Sequence, residues 1–227
     1  RRVLFRSPTR FSGIIICGIS DADAEFLNNH SFDIPIVCVF RNEKKYHSVY
    51  VDDYDIGINV ARLFAQRGHK SVGFIGSNQN GPNSGLRKSG FINKCRDLGL
   101  HMDKIWMREE ADRDFSSGFH AMKEILSLKN RPTAVFINVP EQAMGAVTAC
   151  KSEQIIFQEE MELFSVGHSK SFEYFSPSIS MVCTPVFEVA ESALDLLMVV
   201  IRSEGNTPIA RNLKAKYVFG DTCGDFN

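Results

Sequence analysis

Three groups of residues in this 227-residue chain have the types and spacing to do chemistry. Arg87 stands early in a helical stretch after a glycine-rich turn, Gly76 to Gly85. Its planar guanidinium can grip two oxygens of a sugar or a carboxylate at once, the alternative being a solvated helix arginine like Arg62. Asp52, Asp53 and Asp55 gather three carboxylates that would suit a hard cation, but Asp53 also reads as a helix N-cap with the other two as solvated neighbours. The turn GSNQNGPNSG lacks the Lys-Ser/Thr ending of a phosphate-cradling loop, so it reads as a turn that opens a binding edge. No G-x-S-x-G, P-loop or H-E-x-x-H occurs, and nothing points to an enzyme or a cofactor. Cys17, Cys38, Cys95, Cys150, Cys183 and Cys223 are scattered without C-x-x-C or Cys/His ligand spacing, which indicates neither zinc nor redox work and suits reduced core cysteines in a cytoplasm.

The elements that must position these residues are legible around Val51 to Phe91. Ile56, Val60, Leu63 and Phe64 put one apolar stripe on a helix starting near Asp53. Gly68 ends it with Arg67, His69 and Lys70 at the negative end of its dipole. Ser71 to Ile75 reads as a buried strand, and the helix carrying Arg87, Gly90 and Phe91 begins at that strand's carboxyl end, the edge where open α/β sheets bind ligands. Upstream, Gly13 to Cys17 and Pro35 to Phe40 flank a helix over Asp21 to Asn29 with a Ser20 cap, and Val49 to Val51 is extended. Downstream the alternation predicts helix 84–98, a strand near Ile105, helix 115–128, strand 133–137, helix 141–151, strand 162–166 and strand 178–183. A helix over Phe187 to Ile201 should bury Ala190, Ala193, Leu194, Leu197, Met198 and Ile201, and Leu213 to Phe219 should form a last strand. Strands alternating with amphipathic helices mean a parallel sheet covered on both faces.

Composition sets the outer limits. A 44% hydrophobic and 23% charged chain is that of an ordinary globular protein long enough for two lobes. A net charge of -1 argues against this stretch gripping nucleic acid itself. No apolar run is long and uninterrupted enough to span a bilayer, so no membrane partner is expected. Residues 1–10, RRVLFRSPTR, have no signal-peptide pattern and read as a foreign or frayed end.

Asp53-x-x-x-Gly57, Ala61, Leu63, then GHKSVGFIG from Gly68, then Ser84-x-x-Arg87-x-x-Gly90-Phe91 resemble the effector-binding core of lactose-repressor/galactose-repressor type transcription regulators. The resemblance implies an α/β fold of two side-by-side lobes, periplasmic-binding-protein-like. An N-terminal lobe would comprise 11–52 and 187–203, and a C-terminal lobe 56–184 and 211–220. It implies further that the first lobe lacks its opening strand–helix–strand, that a DNA-binding headpiece is missing, and that the fragment therefore exposes apolar faces and aggregates or partly melts alone. The implied function is an effector sensor in a cytoplasmic regulator. A small sugar-like ligand between the lobes would modulate how a homodimer presents headpieces to operator DNA. The alternative is an extracytoplasmic sugar-binding protein serving a transporter.

The resemblance also marks site residues. Arg87 matches the family's effector-binding arginine, with Ser84 in the same motif. The usual Asn-Asp pair falls at Val139 and Pro140, with Asn138 one place earlier, and the usual aspartate after the strand 162–166 is replaced, leaving His168 and Ser169. Where relatives place a stacking ring the chain has Arg113, with Phe115 two places on. Losing a carboxylate while keeping Arg87, Arg113 and His168 points to an anionic effector, a phosphorylated sugar or sugar acid. The aromatic stretch with Phe172, Tyr174 and Phe175 is either a dimer contact or a loop packed on its own lobe.

Overall fold

The computed structural model describes residues 11–78, 81–167, 172, 175–203 and 207–226. In chain order the elements are β1 (Ile14–Cys17), α1 (Asp21–Asn29), β2 (Ile36–Val39), β3 (His47–Val51), α2 (Asp53–Gln66), β4 (Val72–Ser77), α3 (Pro82–Asp97), a 3-10 turn (Lys104–Trp106), β5 (Met107–Glu110), α4 (Phe115–Leu126), β6 (Ala134–Ile137), α5 (Pro140–Ser152), β7 (Glu162–Gly167), β8 (Ser180–Cys183), α6 (Val186–Arg202), β9 (Ala210–Leu213) and β10 (Lys216–Val218). They form two compact units, Arg1–Asp52 with Pro185–Lys214 and Asp53–Thr184 with Ala215–Asn227. This is a two-lobed α/β architecture of mostly parallel sheets flanked by helices. Among the described residues no helix is long and apolar enough to cross a membrane.

The first unit is a four-stranded parallel sheet in the order β1-β2-β3-β9. Ser20 caps α1 in a reciprocal box with Asp23, as its position before the helix predicts. On one face Leu27 and Ala24 of α1 pack with Ile36 and Cys38. On the other, Val189, Ala193, Leu196, Leu197 and Val200 of α6 pack on Val37, Val39 and Val49. The expected α6 stripe is thus corrected: Ala193 and Leu197 are buried, but Leu194 is 57% and Met198 41% exposed. The apolar arc of the helix is wide, interrupted only by the face carrying Glu188, Glu191, Ser192, Asp195 and Arg202, so periodicity admits two stripes, and the sheet takes the one that brings Val189 and Val200 inward. The other stripe and Ile15 on the edge strand β1 are left in solvent. The isolated 227-residue chain is therefore expected to self-associate at micromolar concentration, which sedimentation would show; a monomeric species with a cooperative melt would refute it.

In the second unit the sheet order is β10-β8-β7-β6-β4-β5, parallel except for β10. Side chains alternate across it. Phe74 and Phe136 meet Phe91 of α3, which also touches Phe64 of α2, with ring centroids 5.1–6.3 Å apart. Ile75, Val135 and Ile137 point the other way into a core with Ala121, Met122 and Ile125 of α4 and Ala146, Val147 and Cys150 of α5. Gly68 adopts the left-handed conformation, φ +88°, that the stop of α2 requires. The strand expected near Ile105 starts two residues later as β5, after the 3-10 turn. The single last strand expected over Leu213–Phe219 is two: β9 runs parallel to β3 in the first unit, and β10 runs antiparallel to β8 in the second. A continuous apolar-polar alternation hides that the chain changes sheets at Lys214–Ala215.

Cys38, Cys95 and Cys150 are free thiols packed in these cores, and burial pushes each up to about 12. Phe172 is 1% exposed within the core of the second unit, so that ring packs on its own lobe. Phe175 is half-buried against the same core, and Tyr174 lies outside the described residues.

Candidate functional site

Within the second unit, β5 and β6 lie on opposite sides of β4. The connection leaving β4 through α3 goes one way and the connection returning through α4 goes the other, so the carboxyl ends of β4 and β6 flank a topological switch point. The pairing of β4 and β6 extends past the strands, with the Asn138 N–H donating to the Ile75 carbonyl at 2.8 Å. Asn138 is fully buried there. Its amide donates to the Ser84 hydroxyl at 2.7 Å and to the Ser84 carbonyl at 2.9 Å, and its oxygen accepts from Arg87 Nε at 2.8 Å. Ser84 is itself 3% exposed. Asn138 and Ser84 thus hold the first turns of α3 and orient the arginine.

The other side of Arg87 is fixed by Asp53. Arg87 Nη1 donates to Asp53 Oδ1 at 2.5 Å, with the two side chains 16% and 8% exposed. A short approach of α2 to α3 makes the pair possible. A Cβ added at Gly57 would lie 2.0 Å from the Arg87 carbonyl oxygen, and one at Gly90 2.1 Å from the Tyr54 carbonyl oxygen. Only residues without a side chain let the two backbones touch, and that contact sets the first turn of α2 beside Arg87. Arg87 is therefore neither a solvated helix arginine nor a free cation. It is clamped at two nitrogens, and among the described residues its second terminal nitrogen, Nη2, has no hydrogen-bond partner.

The remaining sequence candidates fall on neighbouring strand ends. Arg113 lies in the exposed stretch between β5 and α4. Asp114 caps α4 in a reciprocal box with Ser117. Phe115 is 44% exposed and stacks on Phe119 at 6.4 Å between centroids. The structure joins Arg87, Ser84 and Asn138 by hydrogen bonds; Arg113 and Phe115 lie after the adjacent strand β5. His168 and Ser169 lie outside the described residues. Among the described residues no group of three or more His, Cys, Asp or Glu could hold a metal ion, and Asp53 serves Arg87.

Sequence reasoning missed two residues. The sequence suggests a cap or a cation ligand at Asp53 but not its pairing with Arg87, and it does not single out Gln142, although that side chain is fully buried and its amide donates to the Gly76 and Asp112 carbonyls at 3.1 and 3.0 Å. A usable signal existed for both. Asp53 precedes Gly57 and Ala61 by four and eight positions, and Gln142 precedes Ala146 and Ala149 by four and seven, so each polar residue lies on its helix's apolar stripe.

Comparison with known proteins agrees with this fold. The family described as periplasmic binding protein-like domain matches residues 61–223. The chain is similar to the HTH-type transcriptional repressor PurR of Erwinia tasmaniensis, 26% identical over 195 residues, covering 84% of this chain and 57% of that protein. It spans about half the length of the curated relatives it matches. Among solved structures it is similar to a LacI family transcription regulator from Clostridium acetobutylicum, with a TM-score of 0.85, 28% identity, and coverage of 92% of this chain and 78% of that one. It shares its fold with a LacI family regulator from Enterococcus faecium solved with bound ribose, with a TM-score of 0.75, 17% identity, and coverage of 93% and 79%. The chain belongs to the periplasmic binding protein-like domain family, as an effector-binding domain of the lactose-repressor/galactose-repressor type.

Proposed function

We propose that this domain senses a small sugar-like molecule at the carboxyl edge of the second unit's sheet, and that in the full-length protein binding alters how a dimer of a cytoplasmic repressor engages operator DNA through a separate headpiece. The observation that carries the reading is the preset Arg87. Two of its nitrogens are locked by Asp53 and Asn138 while Nη2 remains to meet paired ligand oxygens. A guanidinium fixed before the ligand arrives loses little rotamer freedom on binding. The repressor relatives and the ribose-bound neighbour support both the regulator and the sugar class. A ligand that prefers one conformational state shifts the population by that difference alone, which is enough to couple the site to DNA.

Asp53 changes the expectation of an anionic ligand. Counting Arg87 as net positive made the site electropositive, but its charge is cancelled at 2.5 Å. A neutral hydroxylated ligand then fits better than a phosphate. Calorimetric titration of the full-length protein with ribose, glucuronate and ribose 5-phosphate tests this. Ribose is expected to bind at least as tightly as its phosphate, and a tenfold preference for the phosphate would restore the anionic class. Arg87→Lys keeps the charge and loses the fork, and should weaken binding by about 1.5–3 kcal/mol, roughly 10- to 100-fold in Kd. Binding of none of the three by the unaltered protein would overturn the sugar reading.

A further inference from the structure

The β6–α5 junction reaches to both sides of the switch point, and only one side has been accounted for. Asn138 holds α3. Four residues on, Gln142 holds the segment between β5 and α4. Its Nε2 donates to the Gly76 carbonyl at the end of β4, to the Asp112 carbonyl at 3.0 Å and to the Ser117 hydroxyl at 3.3 Å. Ser117 in turn donates to the Asp112 and Asp114 carbonyls. All three contacts of Nε2 are to oxygens, so the amide cannot be turned over without setting oxygen against oxygen. Its orientation is fixed, and its own oxygen is left buried with no hydrogen-bond partner among the described residues.

Leaving a buried acceptor unpaired costs free energy that a methionine or leucine of similar volume would avoid. The donor half of the amide must therefore be the part that matters. The backbone nearby is as tightly specified. A Cβ on Gly118 would lie 2.1 Å from the Gln142 carbonyl oxygen, and one on Gly145 2.0 Å from the Phe115 carbonyl oxygen, so α4 and α5 are in contact where α4 begins. Helix contact fixes the start of α4, and the Gln142 amide ties the preceding segment to the end of β4.

We propose that Gln142 is a positioning residue of the ligand site: it touches no ligand, but sets Arg113 and Phe115 at the same sheet edge as Arg87. The inference rests on the sugar-sensing reading and adds a determinant of affinity outside the lining of the site.

The test uses Gln142→Met in the full-length protein, titrated with the three sugars above and followed by amide hydrogen exchange. The variant keeps the volume, so its melting temperature should stay within a few degrees. Affinity for whichever sugar the unaltered protein binds is expected to fall about tenfold, from the loss of one to two hydrogen bonds. Amides 112–118 should exchange about tenfold faster, with those of β6 and β7 unchanged. Arg113→Ala should weaken binding in the unaltered protein but add little on top of Gln142→Met, because the arginine is then already misplaced. Unchanged affinity in Gln142→Met, unchanged exchange at 112–118, or fully additive losses would each overturn the proposal while leaving the Arg87 reading intact. A protein that binds none of the sugars overturns both.

Discussion

Glu162→Ala is expected to lower the stability of the second unit by about 3–5 kcal/mol, the usual cost of leaving one member of a buried ion pair alone. Glu162 is 1% exposed at the start of β7. Its carboxylate accepts from Arg67 Nε at 2.6 and 2.8 Å and faces His69 Nε2 at 3.0 Å, while the Cys223 thiol donates to it at 3.2 Å. Removing it strands the Arg67 guanidinium, only 17% exposed, and orphans the thiol. Burial pushes the acid's pKa up, but the hydrogen bonds from His69, Arg67 and Cys223 and the charge of Arg67 together hold it below the ordinary 4.5. A depressed folded value means the stabilisation is fully present above pH 4.5 and is lost as pH falls through the folded value. Urea melts of the unaltered protein and Glu162→Gln should therefore differ above pH 4.5, and the difference should shrink as pH falls below it. A difference that grows as pH falls below 4.5 would refute the assignment.

Gly90→Ala should also be strongly destabilising, by about 3 kcal/mol or more, which in a unit of this size lowers Tm by roughly 6–12 °C. The sign is diagnostic. In a free helix alanine is better than glycine by about 1 kcal/mol, so propensity alone predicts a gain. The loss arises because the new methyl would sit 2.1 Å from the Tyr54 carbonyl oxygen, a backbone atom that moves only with all of α2. Pushing α2 away also parts Asp53 from Arg87, so sugar affinity should fall with stability. A variant as stable as the parent, by calorimetry, would show that the helices are not in contact.

These two cases show what the sequence makes legible. The helix over Asp53–Gln66, its stop at Gly68 and the strand after it follow from local period and punctuation, and the structure has them within a residue or two. The Glu162 cluster is different. It joins Arg67 to a residue 95 positions away and to Cys223 beyond that, and no local pattern reports such a meeting. At the site, Arg87 was legible as a residue but not in its state, because its charge depends on Asp53, 34 positions upstream and only placed beside it by two glycines. The α6 stripe was misread for the opposite reason: the local signal was strong but doubled, and the sheet chose between the alternatives. Gln142 was passed over because a polar residue on a helix reads as solvated until its face is known to be buried.

The segment after β10 gives the Glu162 cluster a meaning in time. Thr222 accepts from the Leu163 N–H at 2.8 Å through its carbonyl and from the Ser180 N–H at 2.9 Å through its hydroxyl, and the Ser180 hydroxyl in turn donates to the Cys223 carbonyl. On a ribosome, residues 220–226 emerge after all of the second unit's strands from β4 to β10. Until they do, β7 and β8 lack these partners and Glu162 lacks its thiol. The unit cannot close vectorially, strand by strand; it has to wait for residues 220–226, and a nascent chain paused short of residue 220 should remain protease-sensitive across β7 and β8.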